Sequence, residues 1–240
     1  MPGPSHSGDP VGYRRDNLEI DPPYLVPEFK SSRLRAPRQP LISLRHTLSE
    51  VTGPVFGHKS VAGHENNLTT QRDGAPIGQR IVLSGRVLDG HGRPVPNTLI
   101  EMWQANAAGR YIHKWDRYDA PVDPNFDGVG RCLTDDQGRY EFVTIKPGPY
   151  PFANHHNAWR PAHIHLSVFG PAFVTRLVTQ MYFPGDPLLG QDPVFNSVPG
   201  VRARERLICR FDLEATIPDW ANAYRFDLVL RGRNTTPTER

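Results

Sequence analysis

The sequence is poor in cysteine, in long apolar runs and in excess charge of either sign. Its two cysteines, Cys132 and Cys209, are too few for a disulfide scaffold, and their spacing fits no zinc motif. They read as packed core thiols in a reducing compartment. No apolar stretch approaches the roughly 20 residues that cross a bilayer, and the N-terminal MPGPSHSGDP lacks the apolar centre of a signal peptide. The expectation is a cytoplasmic protein with no membrane partner. The formal net charge is only +3. With no recognition-module motif and no basic–aromatic stripe, nucleic acid is not an expected partner. Also missing is any long segment with a 3.6-residue apolar period, which argues against a helical bundle.

What is abundant is turn chemistry. The 240 residues include 25 prolines and 21 glycines, spread without a period, and such a length suits one all-β core. Residues 1–79 are rich in Pro, Ser and charge. They read as an irregular N-terminal arm whose basic run, Arg33, Arg35, Arg38 and Arg45, is either a solvated face or a partner-contacting one. A short helical turn is expected at 47–51. From residue 80 the pattern becomes strand-like, at 81–87, 98–104, 140–145, 163–169, 177–183, 207–212 and 224–230, with turns at Asp89-Gly90-His91-Gly92 and Asp135-Asp136-Gln137-Gly138. About seven such strands separated by Gly/Pro-rich loops predict an all-β domain over 80–240, an antiparallel β-sandwich. Two long loops, 105–139 and 146–162, are places where function would sit on a rigid sheet.

The sharpest local signal is Arg160-Pro161-Ala162-His163-Ile164-His165. Strand side chains alternate, so His163 and His165 project from one face, where both imidazoles can meet one metal, while Ile164 and Leu166 turn to the core. An exposed strand face would show the same pattern. The common iron(II) set adds a carboxylate, and none sits in a motif with this pair; zinc or copper would want a further His, Cys or carboxylate. His155 and His156, flanked by Asn, read as loop residues in solvent. Tyr111 and Tyr150 offer phenol oxygens instead, the latter in the stiff turn Lys146-Pro147-Gly148-Pro149-Tyr150-Pro151. A phenol of pKa about 10 ionises at neutral pH only beside a strong cationic centre. From spacing alone, a packed structural tyrosine is the default at either position.

Taken in order, Glu101-Met102-Trp103-Gln104-Ala105-Asn106-Ala107-Ala108-Gly109-Arg110-Tyr111, the turn at 146–151 and the strand at 160–165 resemble the intradiol ring-cleaving dioxygenases. Asp123-Pro124-Asn125-Phe126, Gly128-Val129-Gly130-Arg131-Cys132-Leu133-Thr134-Asp135, Tyr224-Arg225-Phe226-Asp227 and Ala36-Pro37-Arg38-Gln39 fit as well, so the resemblance runs from about residue 24 to about 232. It implies iron(III) as cofactor, with Tyr111, Tyr150, His163 and His165 as ligands. It further implies that Arg160 opposes negative charge on the substrate ring, that Tyr150 leaves the metal and takes a substrate proton, that Gln180 orients either Arg160 or the hydroxide on the metal, and that Trp103 and Phe152 line the pocket. The implied reaction opens an aromatic diol with O₂ to a diacid. For the two-chain members that act on protocatechuate, the product is 3-carboxy-cis,cis-muconate and the partner is a homologous alpha chain in a hetero-oligomer. Phe152 stands where close relatives are expected to carry Trp, and Phe29 where a relative carries Tyr. Rival readings are an intradiol enzyme for catechol or hydroxyquinol, a zinc or copper enzyme on the His pair, and a transthyretin-like binding module that is no enzyme.

Overall fold

The computed structural model describes residues 19–42, 60–152, 159–170 and 176–239. The helical turn expected at 47–51, Arg45, and His155 and His156 lie outside the described residues. The arm contributes one helical turn, α1 (Ser32–Arg35). It is preceded by a tight loop in which the Ser32 hydroxyl donates to Val26 O at 2.7 Å and accepts from Val26 N–H at 2.9 Å.

Two sheets face each other. One contains β1 (Arg80–Leu88), β4 (Arg139–Ile145), β9 (Arg210–Ile217), β10 (Ala221–Arg225) and β11 (Leu228–Val229). The other runs β3-β2-β7-β8, made of β2 (Leu99–Trp103), β3 (Val129–Leu133), β7 (His163–Phe169) and β8 (Arg176–Tyr182), all antiparallel. A small ribbon pairs β5 (Tyr150–Pro151) with β6 (Trp159–Arg160). Two helical turns, α2 (Pro193–Asn196) and α3 (Val201–Glu205), link β8 to β9.

The alternation that marks these strands also makes the core. Ile81, Leu83 and Val87 of β1 and Phe142 of β4 pack against Ile100 and Met102 of β2, Ile164, Leu166 and Val168 of β7, and Leu177 and Met181 of β8 in one buried cluster. Full burial of each such side chain is worth about 1.5–3 kcal/mol as an upper estimate. The β-sandwich expectation thus holds, with differences in detail. β3 lies inside the segment expected as loop 105–139. The strand expected at 224–230 breaks into β10 and β11, both pairing parallel with β1. The one expected at 207–212 begins later and runs to Ile217, because residues 207–209 bracket Tyr182 instead, through Tyr182 N–H to Leu207 O and Cys209 N–H to Tyr182 O. Leu68 is completely buried in the main core, and Asn66 and Leu68 hydrogen-bond to Val143. Among the described residues no helix is long and apolar enough to cross a membrane.

Candidate metal centre

The register of the four-stranded sheet assembles the first part of the site. Residues directly opposite each other on antiparallel strands share a face. His165 stands opposite Trp103 on β2 and Gln180 on β8, and His163 opposite Tyr182. These side chains therefore form two adjoining rows on the face turned away from the core. Trp103 stacks on His165 with ring centroids 4.8 Å apart and planes 7° from parallel. The two imidazoles lie 4.9 Å apart. His163 Nδ1 is 2.7 Å from Pro161 O, an acceptor only, so Nδ1 carries the proton and Nε2 keeps its lone pair. His165 Nδ1 lies 3.1 Å from a carboxylate oxygen of Glu239, and the same reasoning leaves its Nε2 as the free donor atom.

Two interlocked loops supply the phenols. Asn106 organises the first: its Oδ1 accepts from Ala108 N–H and Arg110 N–H, each at 2.9 Å, and its backbone carbonyl accepts from Gly109 N–H and Gly148 N–H. Asp116 then accepts from Tyr111 N–H at 2.8 Å and pairs with Arg110 at 2.6 Å. The loops touch so closely that a Cβ on Gly109 would meet Pro149 O at 2.2 Å and one on Gly148 would meet Ala107 O at 2.3 Å. The Tyr111 and Tyr150 rings meet edge to face at 5.4 Å, and Tyr150 Oη sits 3.1 Å from His163 Nε2. Tyr111, Tyr150, His163 and His165 thus form a continuous run of ring contacts.

Arg160 enters opposite Tyr150 on the ribbon. It is buried, not a surface cation. Its Nη1 lies 3.1 Å from His163 Nε2, and its Nη2 donates to Gln180 Oε1 at 2.6 Å and to Tyr182 Oη at 3.1 Å. Asp192, fully buried, takes the guanidinium in two prongs, Nε to Oδ1 at 3.1 Å and Nη2 to Oδ2 at 2.9 Å. Asp192 also caps α2, accepting from Val194 N–H and Phe195 N–H. Sequence reasoning missed Asp192, Tyr182 and Glu239. Asp192-Pro193 carries a readable sign, an N-cap acid before a proline at the first helical position; nothing local marks Glu239. Phe152, half-buried, lies 6.4 Å from buried Phe29.

The site's own electrostatics keep both phenols neutral. Burial, then Tyr150, push Tyr111 well above the ordinary phenol range. Burial also raises Tyr150, against the pull of the Arg160 charge. Burial, then Arg160 and His165, hold His163 well below the ordinary imidazole value. A cation among these groups would reverse the preference of the phenols. The atoms fit one: Tyr111 Oη is buried with no hydrogen-bond partner, and Tyr150 Oη and Arg160 both crowd the lone pair of His163 Nε2. Among the described residues no three His, Cys, Asp or Glu side chains group as a cation site. The phenol oxygens present beside the two imidazoles suit a hard ion such as iron(III).

Comparison with known proteins follows the same lines. The dioxygenase family model matches residues 51–232, and the model for the protocatechuate 3,4-dioxygenase beta subunit N terminal matches residues 13–47. The chain is 56% identical over 221 residues to the protocatechuate 3,4-dioxygenase beta chain of Burkholderia cepacia, covering 91% of this chain and 94% of that one. It is 30% identical over 203 residues to the alpha chain of the enzyme of that name from the same organism, covering 82% and 98%. Among solved structures, 3-chlorocatechol 1,2-dioxygenase from Rhodococcus opacus 1CP superposes with a TM-score of 0.53 at 28% identity, over 71% of this chain and 67% of that one. Catechol 1,2-dioxygenase from Acinetobacter sp. ADP1 does so at 0.51 and 26%, over 71% and 58%.

Proposed function

The chain belongs to the intradiol ring-cleaving dioxygenase family, and from that premise we propose how its residues divide the work. It is the beta chain of an enzyme that opens protocatechuate with O₂ to 3-carboxy-cis,cis-muconate, assembled with a homologous alpha chain. The family is one of non-haem iron enzymes, and Tyr111, Tyr150, His163 and His165 are the residues that would hold iron(III) here. Iron, when bound, supplies Lewis acidity that favours the ionised forms of the phenols and of the diol. The observation that carries this assignment is the meeting of two Nε2 lone pairs and two half-buried phenols, the Tyr111 oxygen being itself shielded and without a hydrogen-bond partner.

Tyr150 Oη takes one proton from the diol. Burial raises its pKa and the neighbouring Arg160 charge opposes that rise, so that beside a bound cation the oxygen would ionise and could then accept a proton. Arg160 is the fixed cation facing the negative charge that builds on the ring. In a buried pocket such a charge is worth more than in water and needs no reorganisation when pre-set. Asp192 and Gln180 hold it so. The charge on Asp192 does not cancel this role, because Asp192 takes Nε and Nη2 and leaves Nη1 on the His163 side of the site. Trp103 closes the pocket over His165, and Phe152 with Phe29 forms an apolar wall. A cytoplasmic setting fits the two free buried thiols.

The test is the visible absorption spectrum of this chain purified with its alpha chain, before and after protocatechuate is added without oxygen. A broad tyrosinate-to-iron band that shifts with protocatechuate is the expected result. A shift with catechol alone would change the substrate and keep the site. A colourless protein that takes up no iron on reconstitution would remove the assignment.

A further inference from the structure

The C-terminal segment crosses β8 and ends against the site. Thr236 N–H donates to Val229 O at 2.8 Å, and the Thr179 hydroxyl to Pro237 O at 2.8 Å. Thr238 N–H donates to Asp21 Oδ1 at 3.2 Å, its hydroxyl to Val178 O at 3.1 Å, and Glu239 N–H to Val178 O at 2.7 Å. These bonds fix the backbone up to and including Glu239, and its Oε2 reaches His165 Nδ1 at 3.1 Å. Trp103 stacks on the same imidazole, so the ring is held in its plane by a carboxylate and over its face by an indole. The two histidines therefore differ. His163 leans on a neutral carbonyl, Pro161 O, and His165 on a carboxylate delivered from 74 residues further along the chain.

We propose that Glu239 is a positioning residue of the metal centre, fixing the tautomer and ring plane of His165 and making its Nε2 the stronger donor, so that the C-terminal tail is part of the site. The proposal rests on the iron reading of that site. A carboxylate behind a ligating imidazole raises ligand basicity, and loss of such a partner costs about 10- to 100-fold in metal affinity.

The experiment uses the complete two-chain enzyme carrying Glu239→Gln or Glu239→Ala. Iron release to a competing chelator is timed, and the unfolding midpoint of the metal-free samples is recorded. The expected result is that Glu239→Ala binds iron about 10- to 100-fold more weakly with its metal-free midpoint unmoved. Glu239→Gln, which keeps an acceptor for Nδ1–H but not the charge, should lose less in the same direction. Iron held as long in both variants as in the parent would overturn the proposal. If Glu239→Ala does not assemble, Glu239→Gln decides alone: faster release supports the role, and parental release removes it. A parent enzyme that takes up no iron would instead sink the underlying site assignment, and the inference with it.

Discussion

Asp192, whose sequence signals a helix cap and not a partner for Arg160, shows how much of this site is held by residues outside the recognisable motifs. It is completely buried against Arg160, itself only 4% exposed. Removing one partner of a buried ion pair leaves the other charge uncompensated, at a cost of about 3–5 kcal/mol. Asp192→Ala should therefore lower urea stability by that order and release Arg160 from its fixed direction, reducing kcat more than KM; an unchanged midpoint would mean that water reaches the guanidinium. Tyr150→Phe tests the other end of the same network. It should keep iron, since three ligands remain, but slow substrate deprotonation, read in single-turnover absorbance; unchanged turnover would take Tyr150 out of the proton path. The shared face of His163 and His165 was legible because a two-residue spacing on a strand dictates it, whereas Tyr111 and Tyr150 stood out only through the family resemblance, since spacing alone leaves a packed tyrosine as the default. Asp192, Tyr182 and Glu239 were not legible, because each reaches Arg160 or His165 through pairing or a fold-back that local sequence does not encode.

At the scale of elements, the loops around Gly109 and Gly148 act as one piece. Gly109 has φ +80° and no room for a Cβ beside Pro149 O. Gly109→Ala should cost more than about 1 kcal/mol and lower iron content together with stability, because the displacement moves Tyr111 and Tyr150 at once; normal iron content would show that the phenols are placed independently of this contact. The turn after β1 offers a pH prediction. Asp89 accepts from Arg93 N–H and its side chain and from His91 N–H, and these bonds, Arg93 N–H first, hold its carboxyl down at about 2 against an ordinary 3.8. A depressed carboxyl contributes stability that is present above the unfolded value, and this is lost as pH falls from near 3.8 towards 2. The turn is solvent-exposed, so the contribution is small, and Asp89→Asn should flatten the acid limb of the stability curve only slightly. Most strands were legible from alternation. β3 was not, because Val129-Gly130-Arg131-Cys132-Leu133 places a glycine and an arginine mid-strand and owes its pairing to β2. The split between β10 and β11 was hidden too, since Asp227 leaves the ladder to accept from Arg86 N–H.

At the scale of the whole molecule, both ends of the described chain wrap the site. Ile20 packs with Tyr182 and Phe195, Phe29 faces Phe152, and the tail crosses β8. The middle of the arm does something different. In α1, Leu34 is 92% exposed, and beyond it Ile42 is 84% exposed, yet this stretch lies within the match to a beta-subunit N-terminal family. Large apolar side chains left bare beside Arg33 and Arg35 fit a surface that a partner covers, and we expect the arm to contact the alpha chain there. Leu34→Asp should leave this chain's own fold unchanged, since almost none of the side chain is buried within it. It should weaken co-purification of the alpha chain at least tenfold, about 1.4 kcal/mol, because an unpaired carboxylate would have to be desolvated at the contact. The edge strand β9 provides the contrast, with Leu213 75% and Phe211 47% exposed on a sheet margin open to pairing. Assembly that survives Leu34→Asp and fails with Leu213→Asp would move the interface from the arm to that edge.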